Sequence, residues 1–482
     1  MKKKFLILAF KCLLLTIAHA QEASTVRTVS GIVTDHSGNP LPFATVAVKE
    51  TTTGTVTNID GKYSLTVPEN AILVFSFLGF VSQEIAVDNL SIINVMMEEP
   101  MIIKAATPII LTEKQRKKTE TANNFAFKMF REVSEHNTFF SPFSLNMLLG
   151  MLYNGSSDDT RTEIENALGI DGFSESEINE FYKKISQALL GIDPLTDMII
   201  ANSIWINDKI SIKNTFIEAG KNYFNTEVRT LDFSNPNISK TIDNWVAEKT
   251  RSIINSIGIN PQPDDFLYLI NALYFKSEWQ AGNKFDRRQT RRRDFRTAEG
   301  KKMVYMMEQT SFLSYYADRH LHAIELPYGN GAFSMVVLLP TQNRNINQLI
   351  DNLDNAKWQN IVSNMNLQQV HLRLPRFKIE DEFLLRQPIM NVGMKQMFSG
   401  GFANITDLPL WVSEIIQKTH IEVNEEGTEA AAVTAVVLTG FSGRGRRVEP
   451  IRFFADRPFM FLIRERSTGT ILFMGRVDDP NG

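Results

Sequence analysis

Cysteine is nearly missing from this chain: Cys12 is the single one among 482 residues. It lies in a segment expected to be removed, which excludes a disulfide scaffold, a thiol nucleophile and a thiolate-held metal from the mature protein. Histidine is sparse as well, at His19, His36, His136, His320, His322, His371 and His420. No two of these stand at zinc-ligand spacing on a helix beside a glutamate. His320 and His322 would share one strand face, where an ordinary surface or core role is a plainer reading than metal binding. No glycine-rich phosphate loop occurs. Gly440-Phe441-Ser442-Gly443-Arg444 approaches the hydrolase nucleophile elbow, but it ends in arginine where glycine is required and no helical pattern follows. A catalytic centre, a cofactor and a metal are therefore not expected. There is no basic excess either: a net charge of −3 argues against a general nucleic-acid binder. Past residue 20, no apolar run is long enough to span a bilayer as a helix.

What is present begins with MKKKFLILAFKCLLLTIAHA at 1–20. Lys2 to Lys4 form a charged start, an apolar stretch broken by Lys11 follows, and Ala18-His19-Ala20 is a small-residue cleavage site. This pattern predicts a secretory signal, hence export to the periplasm, the cell surface or the exterior. A lipid anchor on Cys12 is the alternative, and Lys11 before it matches one poorly. The length leaves room for two or three domains, and a hydrophobic content of 43% suits globular cores.

Residues 26–99 read as a small all-β sandwich. Val29-Ser30-Gly31-Ile32-Val33 alternates, Asp35 to Pro40 and Asn58 to Gly61 are turn clusters, and Ala71 to Leu78 is a continuous apolar strand. Asp35 and Asp60 fit turn positions better than a calcium site. GIVTDHSGNPLPFATV and TGTVTNIDGKYSL resemble the carboxypeptidase-regulatory-like domain, which precedes many exported and outer-membrane bacterial proteins. The resemblance implies an envelope context. Residues 100–119, with Pro100, Pro108 and the run Lys114-Gln115-Arg116-Lys117-Lys118, read as a solvated linker.

The stretch VNEEGTEAAAVTAVVLTGFSGRGRR at 423–447 stands apart. Between Thr428 and Thr439 it has no glycine, no proline and one charge, Glu429. At strand period, Thr428, Ala430, Ala432, Thr434, Val436 and Leu438 form one uncharged face of residues that fit a sheet. The strand then ends in GFSGRGRR, an exposed basic loop by composition. By pattern alone, an ordinary buried strand and something more specialised both remain open. Glu425-Glu426-Gly427-Thr428-Glu429-Ala430-Ala431-Ala432 resembles the reactive-loop hinge of the serpins, which trap proteases by inserting this loop into their own main sheet.

The likeness runs from about Asn123 to Asp478. NTFFSPFSLNMLLGMLYNGSSDDTRTEIENALG resembles the family's first buried helices, TIDNWVAEKTRSIINSI its surface helix, and LINALYFKSEWQAGNKF its central strand. RFFADRPFMFLIRERSTGTILFMGRV resembles its closing hairpin. The resemblance implies an α+β serpin fold over 120–482, with three β-sheets, about nine helices and an exposed reactive loop. In that pattern the loop is cut between Phe441 and Ser442, and an aromatic Phe441 suits chymotrypsin-like proteases. Arg376 corresponds to the basic partner of the hinge Glu425. Trp279 and Asn271 belong to the strand where the sheet opens, with Ser141 and Ser144 beneath it. Gln417 stands where many serpins have a histidine, and it can still hydrogen-bond Asn271. Arg287, Arg288, Arg291, Arg292 and Arg293 form a solvated loop or a site for a polyanion or protease. The implied protein is a monomeric suicide inhibitor of chymotrypsin-like serine proteases. The alternatives are a non-inhibitory binding or carrier serpin, an inhibitor of trypsin-like or papain-like cysteine proteases, and a structural envelope protein.

Overall fold

The computed structural model describes residues 26–78, 80–98, 104–428 and 449–482. The signal at 1–20, hinge residues Glu429 to Ala432 and the Phe441–Ser442 bond lie outside the described residues. The chain divides into two compact units, Met1–Ile103 and Lys104–Gly482.

The first unit holds β1 (Val26–Thr34), β2 (Thr45–Val48), β3 (Gly54–Val56), β4 (Lys62–Pro68), β5 (Ile72–Ser76), β6 (Gln83–Ala86) and β7 (Val95–Met96). They form one sheet of order β4-β1-β7 and another of order β3-β2-β5-β6. Alternation turns Val29, Val33, Val46, Val67, Leu73 and Phe75 inward, and together they make the unit's core. The Asp35 carboxylate accepts from the amides of Ser37 at 2.9 Å and Asn39 at 2.8 Å, so its oxygens serve the turn. Gly61, at φ +73°, passes so close to β1 that a Cβ would meet the Val33 carbonyl oxygen at 2.6 Å.

The helices of the second unit are α1 (Glu113–Val133), α2 (Pro142–Gly155), α3 (Asp158–Leu168), α4 (Glu175–Gly191), α5 (Asn214–Tyr223), α6 (Ile238–Lys249), α7 (Ile346–Asn352), α8 (Asn355–Ser363) and α9 (Arg386–Asn391). Its strands are β8 (Thr138–Phe140), β9 (Thr196–Asn207), β10 (Thr226–Leu231), β11 (Leu267–Glu278), β12 (Arg291–Thr297), β13 (Gly300–Ala317), β14 (Leu321–Pro327), β15 (Phe333–Pro340), β16 (Asn366–Pro375), β17 (Phe377–Leu384), β18 (Glu414–Val423), β19 (Gly427–Thr428), β20 (Ile451–Phe454), β21 (Phe459–Glu465) and β22 (Ile471–Val477). A six-stranded sheet runs β10-β9-β11-β19-β18-β17. A second ladder runs β20-β16-β13-β14-β15-β21-β22-β8, with β12 on β13. The long β13 is the joint of that ladder: Met306 to Tyr315 pair with β16, and Ser314 to Ala317 pair with β14. Among the described residues, the β12/β13/β16/β20 part and the β14/β15/β21/β22/β8 part are thus two halves of one ladder that share β13, beside the six-stranded sheet.

Helix α2 is wholly buried and mostly apolar around its circumference, as suits a central helix. Ser141 caps it by accepting from the Ser144 amide at 3.3 Å, and Pro142 sits in the first turn, where no amide donor is missed. Helix α6 lays Trp245 against Trp205 of β9, in a separate core cluster that includes Ile270 and Ile416 of the six-stranded sheet.

The linker expectation fails over its second half. Lys114 to Lys118 form the opening turns of α1, with Lys114, Arg116 and Lys117 exposed and Lys118 alone of the run turned inward. Thr112 and Gln115 cap each other reciprocally, Gln115 N to Thr112 Oγ1 at 3.2 Å and Thr112 N to Gln115 Oε1 at 3.1 Å. Helical period then turns Lys118 inward, where it is fully buried. Its Nζ donates to Asn146 Oδ1 of α2 at 3.1 Å and lies 5.3 Å from the centre of the Tyr182 ring. Upstream of the helix the chain is already docked, with Ala106 N on the Asn330 carbonyl at 3.3 Å and Ile109 N on Ser467 Oγ at 2.9 Å.

Candidate functional site

The middle of the six-stranded sheet has an unusual seam. β11 and β18 pair in parallel from Tyr268↔Glu414 to Tyr274↔His420 and then part. Into the gap comes β19, two residues long, antiparallel to both: Ser277↔Thr428 on one side, Val423↔Thr428 on the other. Thr428 is therefore fully buried within the sheet. Thr428 is thus held as a strand residue of the sheet and not as part of an exposed loop. The reason is steric and polar. Gly427 approaches β11 so closely that a Cβ would lie 2.2 Å from the Ser277 carbonyl oxygen, and the Thr428 hydroxyl finds Tyr328 Oη at 2.7 Å.

Below the seam a row of polar side chains crosses three strands. Asn202 of β9, Asn271 of β11 and Gln417 of β18 are in register with one another. All three are buried, and buried amides are stable only when satisfied. Gln417 Nε2 donates to Asn271 Oδ1 at 2.7 Å and to the Ser141 carbonyl at 3.0 Å, while Gln417 Oε1 accepts from Ser141 N at 2.7 Å. Asn271 Nδ2 donates to Ser144 Oγ and Asn202 Oδ1. The amides thus tie the two parting strands to the N-terminus of α2, so Ser141, Ser144, Asn271 and Gln417 act on one another directly.

Above the seam lies the hinge. The Glu425 carboxylate accepts from Arg376 Nε at 2.8 Å, Arg376 Nη2 at 2.6 Å and the Thr290 hydroxyl. Burial raises this carboxyl, but the hydrogen bonds from Arg376 and Thr290 outweigh it and hold the group below the ordinary carboxylate range. Glu426 faces Lys284 at 3.5 Å and Arg287 at 3.8 Å. Trp279, buried and stacked on Tyr328 at 4.6 Å, donates its indole N–H to the Asn424 carbonyl at 3.0 Å and its backbone N–H to the Glu426 carbonyl at 2.8 Å. A cavity of about 430 Å³, lined by Arg287, Tyr305, Arg376, Lys378 and Glu425 among others, opens beside the ion pair.

The five arginines are not all engaged alike. Arg287 leans on Glu426, Arg288 pairs with Asp286 at 3.0 Å, and Arg293 pairs with Glu308 at 2.5 Å. Arg291 donates to the carbonyls of Arg288 and Thr290, and Arg292 is exposed. Four site residues escaped the sequence reading: Asn202, Lys284, Thr290 and Tyr328. Asn202 carried a legible signal, a lone amide at an inward position of an apolar strand. The other three meet the hinge only through the tertiary fold.

A buried polar row thus lies beneath a part-opened sheet, with a clamped chain entering the gap. Residues 120–480 match the family model Serpin (serine protease inhibitor), and residues 29–104 match the CarboxypepD_reg-like domain. The chain belongs to the serpin family. A serpin-like protein of Thermococcus kodakarensis is 33% identical over 77% of this chain and 88% of its own. A leukocyte elastase inhibitor of Xenopus laevis is 30% identical over 75% of this chain and 99% of its own. Among solved structures, the native thermophilic serpin tengpin is similar at TM-score 0.70 and 28% identity, over 78% of this chain and 97% of its own. Protease nexin-1 with heparin follows at 0.68 and 28%, over 76% and 100%. Human thyroxine-binding globulin with its ligand stands at 0.69 and 26%, over 76% and 99%.

Proposed function

We propose that this chain is an exported suicide inhibitor of chymotrypsin-like serine proteases, cut between Phe441 and Ser442 and trapping its target by drawing 429–441 into the sheet behind Thr428. The observation that carries this reading is β19. Two hinge residues already occupy the gap between β11 and β18, and the residues that would follow Thr428 on its face, Ala430, Ala432, Thr434, Val436 and Leu438, are all small or apolar and uncharged. A carrier role, as the thyroxine-bound neighbour has, remains the second reading, but it requires no such face. Arg287, Arg288, Arg291, Arg292 and Arg293 admit a sulfated polymer as a further ligand, in line with the heparin-bound neighbour.

Incubation with chymotrypsin and with trypsin tests the reading. Chymotrypsin should form a complex that survives SDS, with the cut after Phe441 by mass spectrometry. The change Thr428→Arg should convert inhibitor to substrate, because a charge would have to be buried unpaired beside Tyr328. Wild-type protein that is only degraded, without a stable complex, would sink the inhibitory reading.

A further inference from the structure

One end of the second ladder carries cations that the loop and its hinge do not use. Arg293 of β12 and Arg373 of β16 both turn to Glu308 of β13, at 2.5 and 3.1 Å, and His371 Nε2 lies 2.7 Å from the same carboxylate. Two guanidinium groups and an imidazole thus share one negative charge. Burial raises the Glu308 carboxyl, and hydrogen bonds from Arg373, His371 and Arg293 outweigh it, holding it at about 2. Beside them Arg452 of β20, in register with His371, is exposed and has no ion-pair partner among the described residues.

The same face is apolar in places. The Arg373 guanidinium lies 4.1 Å from the centre of the Phe454 ring. On neighbouring strands, Phe312 is 63% exposed and Leu367 67% exposed. They sit diagonally, because Phe312 pairs with Gln369 and Ser314 with Leu367. Exposed aromatic and aliphatic groups beside Arg452 and a cation cluster that one carboxylate neutralises only in part are the composition of a protein-binding surface rather than of a solvated one.

Its position says what covers it. β20 starts at Ile451, nine residues after Ser442, a reach of at most about 30 Å even when fully extended. A protease domain has a radius of roughly 20 Å. A protease closed on the Phe441–Ser442 bond is thereby held within range of the strand that carries Arg452 and Phe454. We propose that the face formed by Arg293, Arg373, Arg452, Phe312 and Leu367 docks the body of the attacking protease, and that the fitting protease presents an acidic rim there. This rests on the reading of the chain as a loop-cleaved inhibitor. The face acts before cleavage: like charges on a rim change the association rate and its salt dependence, and leave the later fate of the complex alone.

The test compares native chymotrypsin with succinylated chymotrypsin, whose lysines carry added carboxylates. Both are active-site titrated, and the second-order rate of SDS-stable complex formation is measured at low ionic strength. Wild-type protein should capture the succinylated form about tenfold faster. Arg452→Glu together with Arg373→Gln, both on this face, should bring the two rates to within about twofold, and 0.5 M salt should do the same. The number of inhibitor molecules consumed per protease should not change. Equal rates for the wild type, or a preference that survives in the double variant, would overturn the docking face. So would binding of dextran sulfate to this face with capture of both proteases equal, which would assign the cations to a polymer. A wild type that forms no stable complex with either protease would remove the inhibitory reading itself, and this face with it.

Discussion

Lys118 shows what a single residue costs this fold. Its ammonium is fully buried, and its polar contact is the Asn146 amide, which also accepts from the Tyr182 hydroxyl. Burial lowers Lys118 from 10.5 to about 7 and pushes the Tyr182 phenol up. The sign of the linkage follows. Between about pH 7 and pH 10.5 the unfolded chain holds a proton that the folded chain has released, so stability rises with pH across that window. Below about pH 7 both states are charged and the penalty is complete, on the order of 4–5 kcal/mol at 1.36 kcal/mol per pH unit. Lys118→Met keeps the length of the side chain and removes the charge. Denaturant unfolding between pH 6.5 and 9.5 should therefore show wild-type stability climbing with pH while the variant stays nearly flat and starts higher. Parallel pH profiles would mean that Lys118 stays protonated and finds a partner.

At the scale of elements, α1 sets where the serpin unit begins. A chain started at residue 113 loses the Thr112–Gln115 cap and the buried Leu111 while keeping Lys118. The cap contributes about 1 kcal/mol and Leu111 about 2 kcal/mol. A chain of residues 104–482 should thus unfold at the same denaturant concentration as the full protein, and one of residues 113–482, which keeps Lys118, should be about 3 kcal/mol less stable; equal midpoints would show that the 104–112 segment is dispensable. The capping signal T-x-x-Q was present in the sequence, but the charged run behind it reads as solvated unless helical period is applied, which brings Lys118 alone inward. The long periodic elements were legible: the apolar run of α2 and the alternation of β1. So was the pairing of Arg376 with Glu425, through resemblance. What local pattern could not supply was long range: Asn202 against Asn271, Tyr328 against Thr428, Thr290 against Glu425. Each pair is joined by strands far apart in sequence, and no periodicity in either segment points to the other. That Thr428 already lies in the sheet depends on where β11 and β18 diverge, a property of the two strands together.

For the whole molecule, the seam makes a statement about which state is the more stable. β11 and β18 share one parallel ladder over Tyr268 to Tyr274, and β19 has wedged it open at one end. Continuing β19 through 429–441 would replace that single ladder with two antiparallel ones, which pair slightly better per residue, and would bury the face of Ala430, Ala432, Thr434, Val436 and Leu438. In the intact chain this is opposed, because the segment is tied to the hinge at one end and to β20 at the other. Cutting after Phe441 frees it. The polar row must give way as the strand enters, since Gln417 and Asn271 bond directly across the line it would take. Their regained partners would be the backbone groups of the new strand. Ordering the segment costs roughly 1–2 kcal/mol per residue, which the new ladder and the buried face have to exceed for a trap to work at all. The cleaved protein should consequently melt about 10 °C or more above the intact one, the opposite of what nicking a chain usually does. Gly427→Val, which places side-chain atoms against the Ser277 carbonyl, should diminish that gain by keeping the hinge out of the gap. Calorimetry before and after limited proteolysis, with the cut verified by mass, decides it: an unchanged or lower melting temperature would leave β19 as a static edge contact and remove insertion as the source of inhibition.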